Sequence, residues 1–270
     1  MSATANDNHD LEHDHVGLSY ADSCPDNVLL FIHGFPLNNR IWDGQLADLA
    51  GDARIIAPDL RGSGDSDDVE GPYSMAMLAD DCVALLDELG IDEAIVAGHS
   101  MGGYVALELL RRHRDRVKGL ILIATRAGAD SDEARAGRDA SAARAASEGV
   151  APIVEGMRPK LLAEDTYEDD PELVEIVDEI MAAANVNGVV GALAAMRDRV
   201  DSTPMLAEID VPTLVVHGAE DRLIPPSEAE AMHKAIPGST LALIHGAGHL
   251  PQMEQEEAFN EAVAEFLEQF

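Results

Sequence analysis

Short apolar runs rich in Val, Ile and Leu alternate with stretches of helical periodicity along most of this 270-residue chain, and that alternation restricts the fold more than any other feature. The runs are Val28 to Ile32, Arg54 to Ala57, Ala94 to Ala97, Val117 to Ala124, Thr213 to Val216 and Thr240 to Ile244. Such short, uniformly apolar segments suit strands buried on both faces of a sheet. Helical segments fall between or after them, at Met75 to Leu89, Tyr104 to His113, Ser227 to Ala235 and Glu256 to Phe270. Parallel neighbours need a crossover to return the chain, and helices of this length supply it. The expected class is α/β, a doubly wound and mostly parallel sheet.

The rhythm stops between about residues 126 and 204. This stretch is rich in Ala, Glu, Asp and Arg, spaces Leu173, Ile176, Val177 and Ile180 as one helix face would, and carries no strand-like run. Pro152, Pro159, Pro171 and Pro204 are expected to divide it into about four short helices. A helical insert in such a fold must cover something, and these sheets keep their sites at the C-terminal edge. Residues 126–204 are therefore read as a helical cap on a core of residues 17–125 and 205–270. Residues 1–16 are polar, acidic and aperiodic, and read as a flexible tail; His9, His13 and His15 within it are read as solvated, not as metal ligands.

With 46% hydrophobic residues the chain can build a core despite a formal charge of -33. No apolar run approaches the ~18 residues of a membrane span. Cys24 and Cys82 give no disulfide framework, and the first residues lack the basic end and apolar stretch of a signal peptide, so a cytoplasmic location is expected. The 51 acidic residues against 18 basic ones argue against nucleic acid or an anionic membrane as partner. Lysine occurs only at Lys118, Lys160 and Lys234. Scarce lysine on an acidic surface resembles the proteins of salt-in halophiles, where a Debye length of roughly 3 Å at 1 M salt screens self-repulsion. An acidic protein from a GC-rich genome has the same composition, and both readings stay open.

Gly98-His99-Ser100-Met101-Gly102 lies between the run Ala94 to Ala97 and the helix that contains Tyr104 to Leu110. At a sharp strand-to-helix turn, flanking glycines relieve contacts that any Cβ would make and leave the serine hydroxyl exposed. The helix N-terminus also brings unpaired N–H groups beside a developing oxyanion. A hydroxyl needs a base, and the base an orienting acid. His249 in HGAGHLPQMEQ follows the run Thr240 to Ile244, and Asp221 in HGAEDRLIPP follows Thr213 to Val216, which sets both at the edge that holds Ser100. Glu220 and His245 are the rival acid and base; neighbours in an extended loop point apart, and His245 falls at a strand end where structural histidines are common. His33, His99 and His217 are read as structural, and His113 and His233 as ordinary helix residues. The N–H of Phe35 in His33-Gly34-Phe35-Pro36 and that of Met101 are the expected oxyanion donors. Asp59-Leu60-Arg61-Gly62-Ser63-Gly64 lacks the ending of a phosphate loop and reads as a turn beside the site.

Through HGFPLNNRIW, APDLRGSGDS, GHSMGG, HGAEDRLIPP and GAGHLPQMEQ the chain resembles the α/β-hydrolase superfamily over roughly residues 18–270. The set is specific for the superfamily and not for a substrate. Similar sets occur in small carboxylesterases, enol-lactone hydrolases, cofactor-free haloperoxidases that act as perhydrolases, and carbon-carbon bond hydrolases. Serine at position 100 argues against haloalkane dehalogenases and most epoxide hydrolases, which carry aspartate there. Family members usually begin with a two-stranded lead-in; here only Gly17 to Ala21 looks like strand.

The resemblance implies hydrolysis of small carboxylic esters through an acyl-enzyme on Ser100, with His249 as base and then acid, Asp221 orienting it, and no cofactor or metal. Enol-lactonase or perhydrolase work with the same triad is the alternative, and a ligand receptor on a hydrolase fold is the alternative from another class. Met157, Leu161, Met181, Leu193 and Met196 of the insert, with Leu37, Trp42 and Leu250 of the core, are expected to line the pocket, although any one of them can equally be packing. The expected assembly is a monomer or small homo-oligomer.

Overall fold

The computed structural model describes residues 18–22 and 27–270; the tail 1–16 with its histidines, Gly17 and Cys24 lie outside that range. The strands are β1 (Tyr20–Asp22), β2 (Val28–Ile32), β3 (Arg54–Pro58), β4 (Ala94–His99), β5 (Val117–Ile123), β6 (Thr213–Gly218) and β7 (Thr240–Ile244). The helices are α1 (Asp43–Asp48), α2 (Met75–Glu88), α3 (Met101–Arg112), α4 (Asp132–Glu148), α5 (Ala151–Leu161), α6 (Thr166–Asp169), α7 (Pro171–Ala182), α8 (Val186–Asp198), α9 (Pro226–Ala235), α10 (Pro251–Glu254) and α11 (Glu256–Leu267).

Six strands run parallel in the order β3-β2-β4-β5-β6-β7. The three-residue β1 pairs antiparallel with β3, Tyr20 opposite Pro58, so the lead-in is short but present. Strand order reverses between β2 and β4, and ligands of open α/β sheets bind at such a switch point, outside the carboxyl ends of the strands.

Side-chain alternation splits the interior into two layers. Leu30 and Ile32 of β2, Val96 of β4 and Leu120 and Leu122 of β5 face a layer closed by α2, α3 and α9. Leu29, Phe31, Ile95, Ala97, Ile121 and Ile123 face the opposite layer, closed by Trp42, Leu49 and the Phe259, Val263 and Phe266 face of α11. Burying a side chain of this size contributes about 1.5–3 kcal/mol, and this double burial is why the strands read as unbroken apolar runs.

Between β5 and β6 stand five helices, α4 to α8, rather than about four. Pro152 and Pro171 sit in the first turns of α5 and α7, where a missing N–H costs nothing, and Asp170 caps α7 by accepting from Leu173 N–H at 3.0 Å. Pro159 does not break α5; it lies inside the helix, two residues before its last residue, and gives up one bond near a fraying end. Pro204 falls in a 3-10 turn, Thr203–Glu208. The helical face read from Leu173 and its neighbours buries Leu173, Val177, Ile180 and Met181, while Ile176 is only half-buried. These helices extend both layers: Ile153, Val189 and Leu193 join the first, and Val154, Leu161 and Val177 the second. Helix α8 comes so close to the loop after β3 that a Cβ on Gly188 would lie 1.8 Å from the Gly62 carbonyl oxygen. Among the described residues, no single helix is long and apolar enough to cross a membrane.

Candidate active site

Ser100 turns the chain from β4 into α3 with φ 52° and ψ -112°, a conformation that costs about 1–3 kcal/mol for a residue with a Cβ. The turn is held from three sides: Ser100 N–H donates to Ile123 O at 2.8 Å, and Ser100 O accepts from Gly103 N–H at 3.0 Å and from the Thr125 hydroxyl at 2.7 Å. The flanking glycines are steric requirements. A Cβ on Gly98 would stand 2.2 Å from Gly102 O, and one on Gly102 would stand 2.1 Å from Ile32 O. Closeness to β2 also brings the His33 to Phe35 loop against the serine, since a Cβ on Gly34 would lie 3.0 Å from Ser100 Cβ. The N–H groups of Phe35 and Met101 donate to no other group among the described residues.

His249 Nε2 lies 2.9 Å from Ser100 Oγ, and His249 Nδ1 lies 2.7 Å from Asp221 Oδ2. All three residues are buried, with Ser100 the most exposed at 8%. Oδ1 of Asp221 accepts the N–H groups of Leu223 and Ile224 at 2.8 and 2.9 Å, and Oδ2 also meets His217 Nε2 at 3.2 Å. Burial alone would raise the Asp221 pKa. The His249 charge and the hydrogen bonds from His217, His249 and Ile224 outweigh it and hold the carboxyl well below the usual carboxylate range. An ionised Asp221 keeps the proton of His249 on Nδ1 and leaves Nε2 as acceptor for the serine hydroxyl.

The rivals lie elsewhere. Glu220 is exposed and accepts from Gly246 N–H at 3.1 Å, and His245 is exposed. His113 pairs with Asp80 at 2.7 Å, and His233 Nδ1 meets Ser239 Oγ at 2.9 Å. His217 was expected to be structural only; its contact with Asp221 arises from the four-residue spacing in HGAED, which returns the loop to the strand end. Thr125 had no sequence signal, because its partner is a backbone carbonyl.

The structure buries most of the expected pocket residues. Trp42 has no exposed surface; it stacks on Phe31 with ring centroids 4.4 Å apart and lies 6.5 Å from Phe259, in the core beneath the site. Leu161, Met181 and Leu250 likewise present no surface, and Leu37, Leu193 and Met196 present 2–3%. Met157 alone of the set is half-buried. Apolar side chains on helices that close a core and on helices that line a cavity have the same spacing, so sequence could not separate them.

Two buried histidines flank this arrangement. His33 Nε2 accepts from Leu60 N–H at 2.9 Å, and His99 Nε2 donates to His249 O at 2.7 Å. Burial, partly offset by a backbone hydrogen bond, lowers His33 to about 4; burial and the nearby His249 lower His99 to about 3. Burial raises Asp59 to about 6 against the pull of the Asn39 and Asp65 N–H groups. Between pH 4 and 6 the unfolded chain binds a proton at each histidine that the fold does not, whereas the fold binds one at Asp59 that the unfolded chain does not. The net effect is about one proton, so stability should fall on acidification through this window by about 1.4 kcal/mol per pH unit from these groups. His33→Gln should remove about one proton from that slope, measured by urea unfolding at stepped pH; an unaltered slope would refute the assignment.

Residues 27–256 match the model of the family described as the alpha/beta hydrolase fold. The chain belongs to this family. The α/β hydrolase is 41% identical to a thermophilic esterase of Thermogutta terrifontis, whose structure superposes with a TM-score of 0.93 over 94% of each chain. It is 31% identical to 3-oxoadipate enol-lactonase 2 of Acinetobacter baylyi over 94% of both proteins. It is also 32% identical to the pimeloyl-[acyl-carrier protein] methyl ester esterase of Neisseria meningitidis serogroup B, over 91% of this chain and 95% of that one.

Proposed function

We propose that this α/β hydrolase cleaves small carboxylic esters through an acyl-enzyme on Ser100. The observation that carries the reading is the continuous line Ser100 Oγ, His249 ring, Asp221 carboxylate, with separations of 2.9 and 2.7 Å. Ser100 Oγ attacks the ester carbonyl as His249 Nε2 takes its proton. The carbonyl oxygen becomes an oxyanion between the N–H groups of Phe35 and Met101, where fixed donors lower the barrier by about 3–4 kcal/mol each. His249 returns the proton to the departing alcohol, and water repeats the sequence on the acyl-enzyme. Every proton and electron pair is carried by these residues, substrate and water. Helices α4 to α8 serve as the cap over the pocket, and the esterase names among the relatives support the reaction class.

An alkyl p-nitrophenyl phosphonate should lose p-nitrophenolate and leave its phosphonyl group on Ser100 alone, and p-nitrophenyl esters from acetate to octanoate should be hydrolysed with preference for short acyl chains. Labelling at another residue would sink the mechanism. An enol-lactone in the same panel tests the second reading, which the enol-lactonase relative favours; preference for it over every open-chain ester would replace the first.

A further inference from the structure

Glu254 ends the four-residue helix α10, five positions after His249, and its carboxylate is shared between two distant parts of the chain. Oε1 accepts from the N–H of Gly248 at 2.8 Å and of Leu250 at 3.2 Å, the two neighbours of His249. Oε2 accepts from Ala163 N–H at 2.7 Å and from the Thr166 hydroxyl at 2.9 Å, both in the segment that leads from α5 into α6. The N–H of His249 itself donates to Leu161 O at 2.8 Å. All three N–H groups of residues 248–250 therefore end on the helical insertion or on the carboxylate that the insertion also holds. Gly248 makes the approach possible, since a Cβ there would stand 2.5 Å from Ala163 N. A carboxylate offers about four lone-pair sites, and here each meets a donor; charge-assisted bonds of this kind are roughly twice as strong as neutral ones.

We propose that Glu254 is a positioning residue for the catalytic base: it locks the His249 loop onto residues 161–166, so that the insertion sets the reach from His249 Nε2 to Ser100 Oγ. The inference rests on the ester-hydrolase reading of the triad. The carboxylate bonds to neither Ser100 nor the His249 ring, and reaches His249 only through the backbone N–H groups on either side of it. Its effect falls on the chemical step, because a small misplacement of a base costs up to roughly 100-fold in rate without removing a substrate contact.

Glutamine fills the same volume but has one acceptor oxygen, so its NH2 must confront donors on one of the two sides. Glu254→Gln should lower kcat for p-nitrophenyl acetate roughly 10- to 100-fold with KM within about twofold of wild type. It should also broaden or remove the downfield proton resonance of the His249 to Asp221 hydrogen bond, a readout that packing elsewhere would not move. Wild-type kcat with an intact resonance in the folded variant overturns the proposal, as does a raised KM at unchanged kcat, which would assign Glu254 to the pocket. Should Glu254→Gln fail to fold, Thr166→Val decides: lower kcat at unchanged KM supports the lock, and wild-type kcat overturns it. If the wild-type protein shows no Ser100-dependent ester turnover, the hydrolase reading fails by itself, while loss or retention of the resonance in Glu254→Gln still decides for or against the lock.

Discussion

Ser100→Ala is expected to lower kcat/KM for p-nitrophenyl acetate by roughly 10^4- to 10^6-fold while the fold persists. The side chain contributes one hydrogen bond to stability, the 2.9 Å contact with His249, which is about 1 kcal/mol, so melting should shift by only a few degrees. Alanine keeps the Cβ and with it the strain of a φ of 52°. Ser100→Gly removes that strain, about 1–3 kcal/mol, against an entropic loss of about 0.5–1 kcal/mol. The glycine variant should therefore be equally inactive and at least as stable as the alanine variant. Turnover retained in either variant would end the acyl-enzyme mechanism; a glycine variant clearly less stable than the alanine one would contradict the strain.

Asp221→Asn should cost roughly 10^4-fold in kcat with little loss of structure. Oδ1 is fixed by the N–H groups of Leu223 and Ile224, so the single oxygen of asparagine must occupy that place. Its NH2 then takes the position of Oδ2, 2.7 Å from His249 Nδ1, and can only donate. His249 must accept there, which moves its proton to Nε2, where it opposes the serine hydroxyl instead of receiving its proton. The loss comes from the tautomer and not from the distance, so a crystal structure of the variant should keep residues 100 and 249 within hydrogen-bond distance of each other. Activity within about tenfold of wild type would show that the carboxylate does not set the tautomer.

The sheet was legible because the parallel strands from β2 to β6 are largely buried on both faces, which writes itself as an unbroken apolar run such as Leu29 to Ile32, whereas β7 at the sheet edge is only half-buried over Leu241 to Leu243. Ser100, Asp221 and His249 were legible for a related reason. Each follows such a run, and parallel strands deliver the ends of all of them to one edge. What stayed hidden depends on contacts between segments far apart along the chain. Trp42 could have lined a pocket or filled the core, and its stacking on Phe31 with a tilted contact to Phe259 places it in the core. Pro159 was expected to end a helix because sequence does not say how near the helix end it falls. Glu254 lies within GAGHLPQMEQ, but nothing in that run says that its carboxylate meets the segment after Leu161, because that contact joins residues 91 and 88 positions apart.

The seat of Leu161 to Ala163 on Gly248 bears on how new specificities could be built from this scaffold. Exchanging the whole 126–204 stretch for that of another enzyme keeps every strand, because the chain departs after β5 and returns before β6, but it also replaces side chains such as Val154 and Leu161 that close the core layers. On the proposed lock, a graft that omits an equivalent of that seat would change the cover of the site and misalign His249 in one operation. Chimeras should therefore keep residues 161–166 native and vary α4, α7 and α8.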